Sequence, residues 1–227
     1  VQLAILITAY LPPGGECRQA VAIKTVESWK KHLRFDGDLH VHVADDGTPP
    51  SMEQVYGQAF WRHLVGSWAT FSYSRQERRG VGASLNRGFD LCNRQTPFVL
   101  YAVDDWELVA PLNVTPWVDV LATEQSIGCI RLGAVNPFMR NGELLRFLSA
   151  GYAIRWERYS YYWSQRPAVY HSRFRDAYGP FPENVDALVV DRQYNEHICA
   201  SDGPDVVLVL HEPWIHQESI ELGDITP

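Results

Sequence analysis

Three short polar clusters stand directly after apolar runs in this chain: Thr8-Ala9-Tyr10 after LAILI, Asp45-Asp46-Gly47 after LHVHVA, and Asp104-Asp105 after PFVLYAV. Paired carboxylates suit a hard divalent cation such as Mg2+ or Mn2+, because these ions take oxygen ligands and complete their shell with substrate phosphates. An ion held this way would offset the charge of a diphosphate in a chain whose own net charge is -7. The same dipeptide also caps turns and helices, since aspartate side chains bond nearby backbone N–H groups. Residue type and spacing leave both readings open for each pair.

The elements that must position these clusters can be read from periodicity. Leu3 to Ala9 is continuously apolar, which suits a strand covered on both faces. Pro12, Pro13, Gly14 and Gly15 break it, and Ala20, Val21, Ile23, Val26 and Trp29 then recur at helical spacing from Cys17 to Leu33. A strand Leu39 to Ala44, a helix from Ser51 to Val65 opened by a Ser51/Gln54 capping box, and a strand Ala69 to Ser74 come next. After them stand a helix Val81 to Cys92, a strand Pro97 to Val103, and a helix Thr115 to Glu124 with Thr115 as cap and Pro116 first inside it. Strand-like stretches at Ile127 to Leu132 and Leu144 to Ile154, a helix Val185 to Cys199 and a strand Val206 to Leu210 complete the reading. This alternation predicts an α/β fold with an open, mostly parallel, twisted sheet flanked by helices. Ligands in such sheets bind outside the carboxyl ends of the strands, where all three polar clusters would lie together.

Composition excludes several classes. The 227 residues fit one domain; 46% are hydrophobic and 21% charged, ordinary values for a globular chain. The acidic balance argues against general nucleic-acid binding, which depends on clustered cations. Cys17, Cys92, Cys129 and Cys199 are far apart without a CxxC pair, so neither a zinc knuckle nor a disulfide framework is indicated, and a reduced, cytoplasmic setting is expected. The apolar opening is too short for a transmembrane segment. The first strand-helix turn, TAYLPPGGE, lacks the G-x-G-x-x-G of nicotinamide enzymes, and GVGASLNRG comes too late with the wrong spacing. No Gly-Lys-Ser/Thr occurs, the lysines being Lys24, Lys30 and Lys31, so a P-loop is absent. A sugar-phosphate nucleotidyltransferase would need a Gly-rich, basic first loop, which this chain does not have.

The segments ILITAY, HVADDGTPP and RGVGASLNRGFDLCNRQTPFVLYAVDDWEL, in that order, resemble family 2 glycosyltransferases of the GT-A fold. The resemblance covers residues 1–110 well and is looser beyond. It implies a Rossmann-like nucleotide-sugar-binding half, 1–110, and an acceptor-binding and catalytic half, 111–227, within one domain. It implies that Thr8, Ala9 and Tyr10 flank the nucleobase and that Asp46, with Asp45 nearby, bonds the base or its ribose. Arg78, Arg79 and Asn86 would run along the nucleotide and diphosphate, although two adjacent arginines are also what a solvated loop carries and Tyr10 also suits a core. Asp104 would face the ribose and sugar, and Asp105 the metal. The two are adjacent in place of the commoner Asp-x-Asp spacing, so either carboxylate can be the direct ligand.

His216, in WIHQES, is similar to the late histidine that completes the metal shell in many GT-A enzymes; an imidazole shifts preference toward Mn2+ over Mg2+. A lone histidine is more often structural, and His211 competes with it. The resemblance implies transfer of a sugar from a nucleotide-diphosphate sugar, with a UDP-sugar favoured, to a carbohydrate or other hydroxyl acceptor. Inverting transfer needs a general base, here a carboxylate of YGPFPENVDALVVDRQYNEH. Glu183, Asp186, Asp191 and Glu196 are the candidates. Asp191 comes after an apolar run and is the first choice; Glu196 competes, and a plain surface role is the alternative for all four. The aromatic cluster Trp156, Tyr159, Tyr161, Tyr162 and Trp163 points to the acceptor side or to core. A different class of function is a non-catalytic sugar-nucleotide or glycan-binding protein of the same fold, from which an intact Asp104-Asp105 pair and a usable base distinguish an enzyme.

Overall fold

The first strand, β1 (Gln2–Ala9), is the axis of the sheet because it is apolar on both faces and almost wholly buried. The computed structural model describes residues 2–133, 142–156, 163–209 and 213–217. After β1 come α1 (Glu16–His32), β2 (Leu33–Arg34), β3 (Asp38–Asp45), a 3-10 turn (Pro50–Met52), α2 (Glu53–Tyr56), α3 (Gln58–Val65), β4 (Thr70–Arg75), α4 (Val81–Asn93) and β5 (Phe98–Val103). The second part holds β6 (Trp106–Leu108), β7 (Leu112–Asn113), α5 (Thr115–Thr123), β8 (Ile127–Arg131), β9 (Gly142–Phe147), β10 (Gly151–Trp156) and β11 (Ala168–His171). It ends with α6 (Ser172–Tyr178), α7 (Ala187–Ala200), β12 (Asp205–Val209) and β13 (Trp214–His216).

Nine strands form one sheet in the order β4-β3-β1-β5-β11-β8-β12-β10-β9. β4, β3, β1 and β5 are parallel, β11 runs against both β5 and β8, and β12 is parallel to β8. This is the mostly parallel α/β architecture expected. Two cores cover the faces. Leu3, Ile5 and Ile7 pack with Val26 and Trp29 of α1 and with Val118 and Leu121 of α5. Ala4 and Leu6 pack with Leu85 and Phe89 of α4, Phe174 of α6, and Val190 and Tyr194 of α7. Helix α4 lies close on β1 because Gly88 has no Cβ: one placed there would meet Leu6 Cδ1 at 2.3 Å.

Several elements differ from those expected. The helix Ser51–Val65 is three pieces; Ser51 sits inside the 3-10 turn that Pro49 caps, and the chain breaks again at Gly57, which carries extended ψ. That break buries Tyr56 between α2 and α3. Val114, not Thr115, caps α5, while the Thr115 hydroxyl accepts from the Asp36 amide at 2.8 Å. The stretch Leu144 to Ile154 is a hairpin, β9 and β10 paired antiparallel, because Gly151 at φ 96 allows the chain to reverse. Helix α7 starts at Ala187 with Asp186 as its cap. Tyr159, Tyr161, Tyr162, His211 and the acidic tail lie outside the described residues. Trp163 is core: it is buried among Tyr194, Phe181 and Tyr170, and its indole N–H donates to the Tyr170 hydroxyl at 2.7 Å.

Candidate functional site

Parallel pairing puts the three polar clusters on one edge. Ala9 is in register with Asp45 and Thr8 with Val103, so Tyr10, Asp46 and Asp104 all leave the carboxyl ends of adjacent strands. A cleft of about 320 Å³ opens there, lined by Thr8, Ala9, Tyr10, Arg18, Asp46 and Arg78. Gln165, Val185 and Asp186 line it as well.

The Asp45-Asp46 pair is consumed by the turn at its own end of β3. Asp45 accepts from the Thr48 amide at 2.7 Å and from the Tyr73 hydroxyl at 2.6 Å. Asp46 accepts from the Arg79 amide (3.0 Å), the Gly80 amide (2.9 Å) and Gln76 Nε2 (3.0 Å). Gly47, at φ 89, could not carry a side chain: its Cβ would stand 2.7 Å from the Arg78 amide nitrogen. Asp46 thus ties the arginine loop to the end of β3 while remaining on the cleft wall. Arg78 lies over the Tyr10 ring, 4.2 Å from the centroid, and donates to its hydroxyl at 2.8 Å, so the two form one surface at the cleft entrance. Arg79 turns away to pair with Glu183 at 2.5 Å. Asn86 is buried in the joint between α4 and the segment before α7. It donates to the Phe181 carbonyl and Glu183, and accepts from the Phe181 amide and Arg175.

Around Asp104-Asp105 the partners are different. Asp104 is fully buried and takes a forked ion pair from Arg18, with Nη2 at 2.6 Å from one oxygen and Nε at 3.2 Å from the other. The Tyr56 hydroxyl also donates to it. Burial raises the Asp104 carboxyl above the usual carboxylate range, against the pull of Arg18. Asp105 lies 3.5 Å from Arg18 Nη2 and 3.4 Å from His216 Nε2 through one oxygen, while its other oxygen is buried with no hydrogen-bond partner among the described residues. His216 is delivered by β13, which pairs antiparallel with β6 so that His216 stands opposite Trp106 and stacks on its ring at 4.8 Å. The Gln217 amide bonding the Asp105 carbonyl at 3.0 Å fixes this register.

Among the described residues no three His, Cys, Asp or Glu side chains gather as a metal cage. Asp105 and His216 nevertheless fit a divalent ion that takes most of its ligands from substrate and water: a carboxylate with one oxygen lacking a partner among the described residues and an imidazole nitrogen beside the other.

The two base candidates separate clearly. Asp191 is half-buried on the inner face of α7, where Gln165 Nε2 donates to it at 3.0 Å, and Gln165 itself lines the cleft. Burial raises the Asp191 carboxyl, opposed by Gln165 and by Arg131 and Arg166. Glu196, on the outward side of the same helix, is exposed. Asp186 caps α7 at the cleft rim. Sequence reasoning did not single out Arg18, Tyr56 or Gln165. Arg18 lies in the first turn of an ordinary helix, and its partner is 86 residues away.

Neither a scan against protein-family models nor a search of curated proteins finds a match. Solved structures match in fold. Staphylococcus aureus TarS 1–349 superposes with TM-score 0.60 at 14% identity, over 94% of this chain and 59% of that one. The same fragment in complex with UDP-GlcNAc gives 0.57 at 15% identity, over 96% and 61%. GalNAc-T7 with UDP, GalNAc and Mn2+ gives 0.59 at 11% identity, over 92% and 42%. The fold is thus that of GT-A glycosyltransferases. The chain spans about three-fifths of TarS 1–349 and less of GalNAc-T7.

Proposed function

We propose that this chain is a glycosyltransferase that moves a sugar from a UDP-sugar to an acceptor hydroxyl, with inversion and with a divalent metal, Mn2+ or Mg2+. The observation that carries the reading is the meeting of Asp105 and His216 at the carboxyl edge of the sheet, next to a cleft whose lining includes Arg18, which reaches Asp105, and Gln165, which holds Asp191. That two of the matching solved structures hold UDP-GlcNAc or UDP with Mn2+ supports the choice of donor and ion.

Residues 1–110 bind the donor. Thr8, Ala9 and the Tyr10–Arg78 surface receive the base and ribose, and Asp46 holds the loop that presents Arg78. Asp105 and His216 would hold the metal, which when bound supplies Lewis-acid stabilisation of the departing diphosphate. Residues 111–227 serve the acceptor. Asp191, its carboxyl raised by burial, accepts the proton of the acceptor hydroxyl as that oxygen bonds the anomeric carbon and the bond to the diphosphate breaks. Gln165 keeps the Asp191 carboxylate aimed by bonding both it and the Ala187 carbonyl. Incubation with a panel of nucleotide sugars, with Mn2+, Mg2+ or chelator, tests the reading. It predicts metal-dependent release of UDP from one UDP-sugar, accelerated by the right acceptor. Binding of a sugar nucleotide without turnover under any condition would assign the fold to a binding protein.

A further inference from the structure

A cation stands between the cleft and the buried carboxylate of Asp104. Arg18 rises from the first turn of α1 into the wall between Tyr10 and Asp104, and 21% of its side chain is exposed there. Its guanidinium grips both oxygens of Asp104 and reaches toward Asp105. Tyr56 donates to Asp104 as well, so this carboxylate, with no surface of its own, is held entirely by protein. A carboxylate in that state reaches an ion or a ribose only by breaking the fork. Two bare carboxylates facing a diphosphate repel it, whereas a pair carrying a planar guanidinium presents phosphate oxygens with a fitting donor.

We propose that Arg18 is a donor-phosphate residue: anchored on Asp104, it meets the nucleotide diphosphate from the α1 side, giving UDP a component of affinity that needs no metal. Asp104 then acts through Arg18 as a positioning residue, and Asp105 with His216 remains as the metal pair. This inference rests on the reading of the cleft as a UDP-sugar site.

Calorimetry with UDP, in chelator and in Mn2+, tests it on four proteins: wild type, Arg18→Gln, Asp104→Asn and the double variant. Wild type binds UDP in chelator, more weakly than with Mn2+. Arg18→Gln loses a further ten- to a hundredfold in chelator, about the worth of a hydrogen bond to a charged group. Asp104→Asn keeps one acceptor for Arg18 and loses the other, so it weakens metal-free UDP binding by less than Arg18→Gln does, and it titrates with Mn2+ alone as wild type does. Arg18→Gln leaves a buried carboxylate without its counter-charge and can fail to fold. The double variant replaces the ion pair by two neutral amides and so keeps the test open; it should bind UDP in chelator as poorly as Arg18→Gln.

A double variant that binds metal-free UDP like wild type, a wild type that binds UDP with Mn2+ and not at all without it, or an Asp104→Asn protein that loses Mn2+ each overturns the proposal. UDP that binds no variant in either condition overturns the donor reading itself.

Discussion

At the end of β3, Asp45-Asp46 is met by amides: Thr48, Arg79 and Gly80 donate to the pair, joined by Tyr73 and Gln76, until all four oxygens are engaged. At the end of β5, the same dipeptide is met by side chains: one oxygen of Asp105 faces His216, and the other is buried without a partner among the described residues. The path of the chain beyond each pair accounts for the difference. Gly47 turns the first pair into a loop whose N–H groups fold back on it, whereas β6 leads the second straight into a strand that brings β13 and its histidine alongside. A carboxylate pair becomes a structural joint when backbone donors reach it, and keeps an oxygen for other partners when they do not.

This contrast can be broken most severely at Asp105. Asp105→Ala should leave folding nearly intact, since it removes only the long 3.4–3.5 Å contacts to Arg18 and His216, yet reduce transfer by at least about a hundredfold, the scale of losing one major electrostatic stabiliser. Steady-state transfer rates beside a thermal melt check both halves. Asp191→Asn should lower the transfer rate by roughly 10²–10⁴ while UDP binding survives, because a positioned base acts on the acceptor. Glu196→Gln, on the exposed side of α7, should differ little from wild type in the same assay, and the reverse pattern would exchange the two assignments.

Asp46→Ala inverts the profile. It strands the partly buried Arg79 and Gly80 amides and should cost about 1–3 kcal/mol of stability in urea unfolding, with weaker UDP binding as the arginine loop loosens and unchanged Mn2+ affinity.

The smallest effect concerns the strands beneath that turn. His40 and His42 of β3 interleave with Thr70, Ser72 and Ser74 of β4 in a continuous ladder of hydrogen bonds. Burial pushes His42 down to about 4, with His40 and Arg87 adding to the shift. A histidine lowered on folding is neutral in the native protein and protonates first in the unfolded chain. Its contribution is therefore complete above about pH 6.5 and is lost as pH falls from there toward 4. Unfolding free energy should drop by on the order of 2 kcal/mol between pH 7 and 4.5 from this residue, and His42→Gln should flatten that part of the profile.

The parallel strands around β1 and the gathering of three clusters on one edge were legible because buried parallel strands are written as continuous apolar runs. PFVLYAV could hardly be anything else. The hairpin β9–β10 was not, since its turn is a short Leu148-Ser149-Ala150 within a strand-like stretch. β11 and α6 passed unread because AVYH is four residues long and SRFRDAY seven, below the length at which periodicity speaks. At the candidate site, the aspartates and Asp191 are picked out by type and place. Arg18 is not, since its contact joins α1 to the end of β5 and no local pattern encodes it. Asn86 shows the opposite limit: its position suggests a ligand contact, and the fold spends all its polar atoms on the joint with Phe181, Glu183 and Arg175.

The central claim, that donor and metal meet at Asp105 and His216, is tested most directly by titrating Mn2+ into the protein with and without saturating UDP. Binding energies that are coupled are coupled reciprocally, so UDP should tighten Mn2+ at a single site. The coupling should vanish in Asp105→Ala, weaken in His216→Ala and persist in Asp46→Ala. An Asp105→Ala protein that binds Mn2+ and UDP together as tightly as wild type would contradict the account.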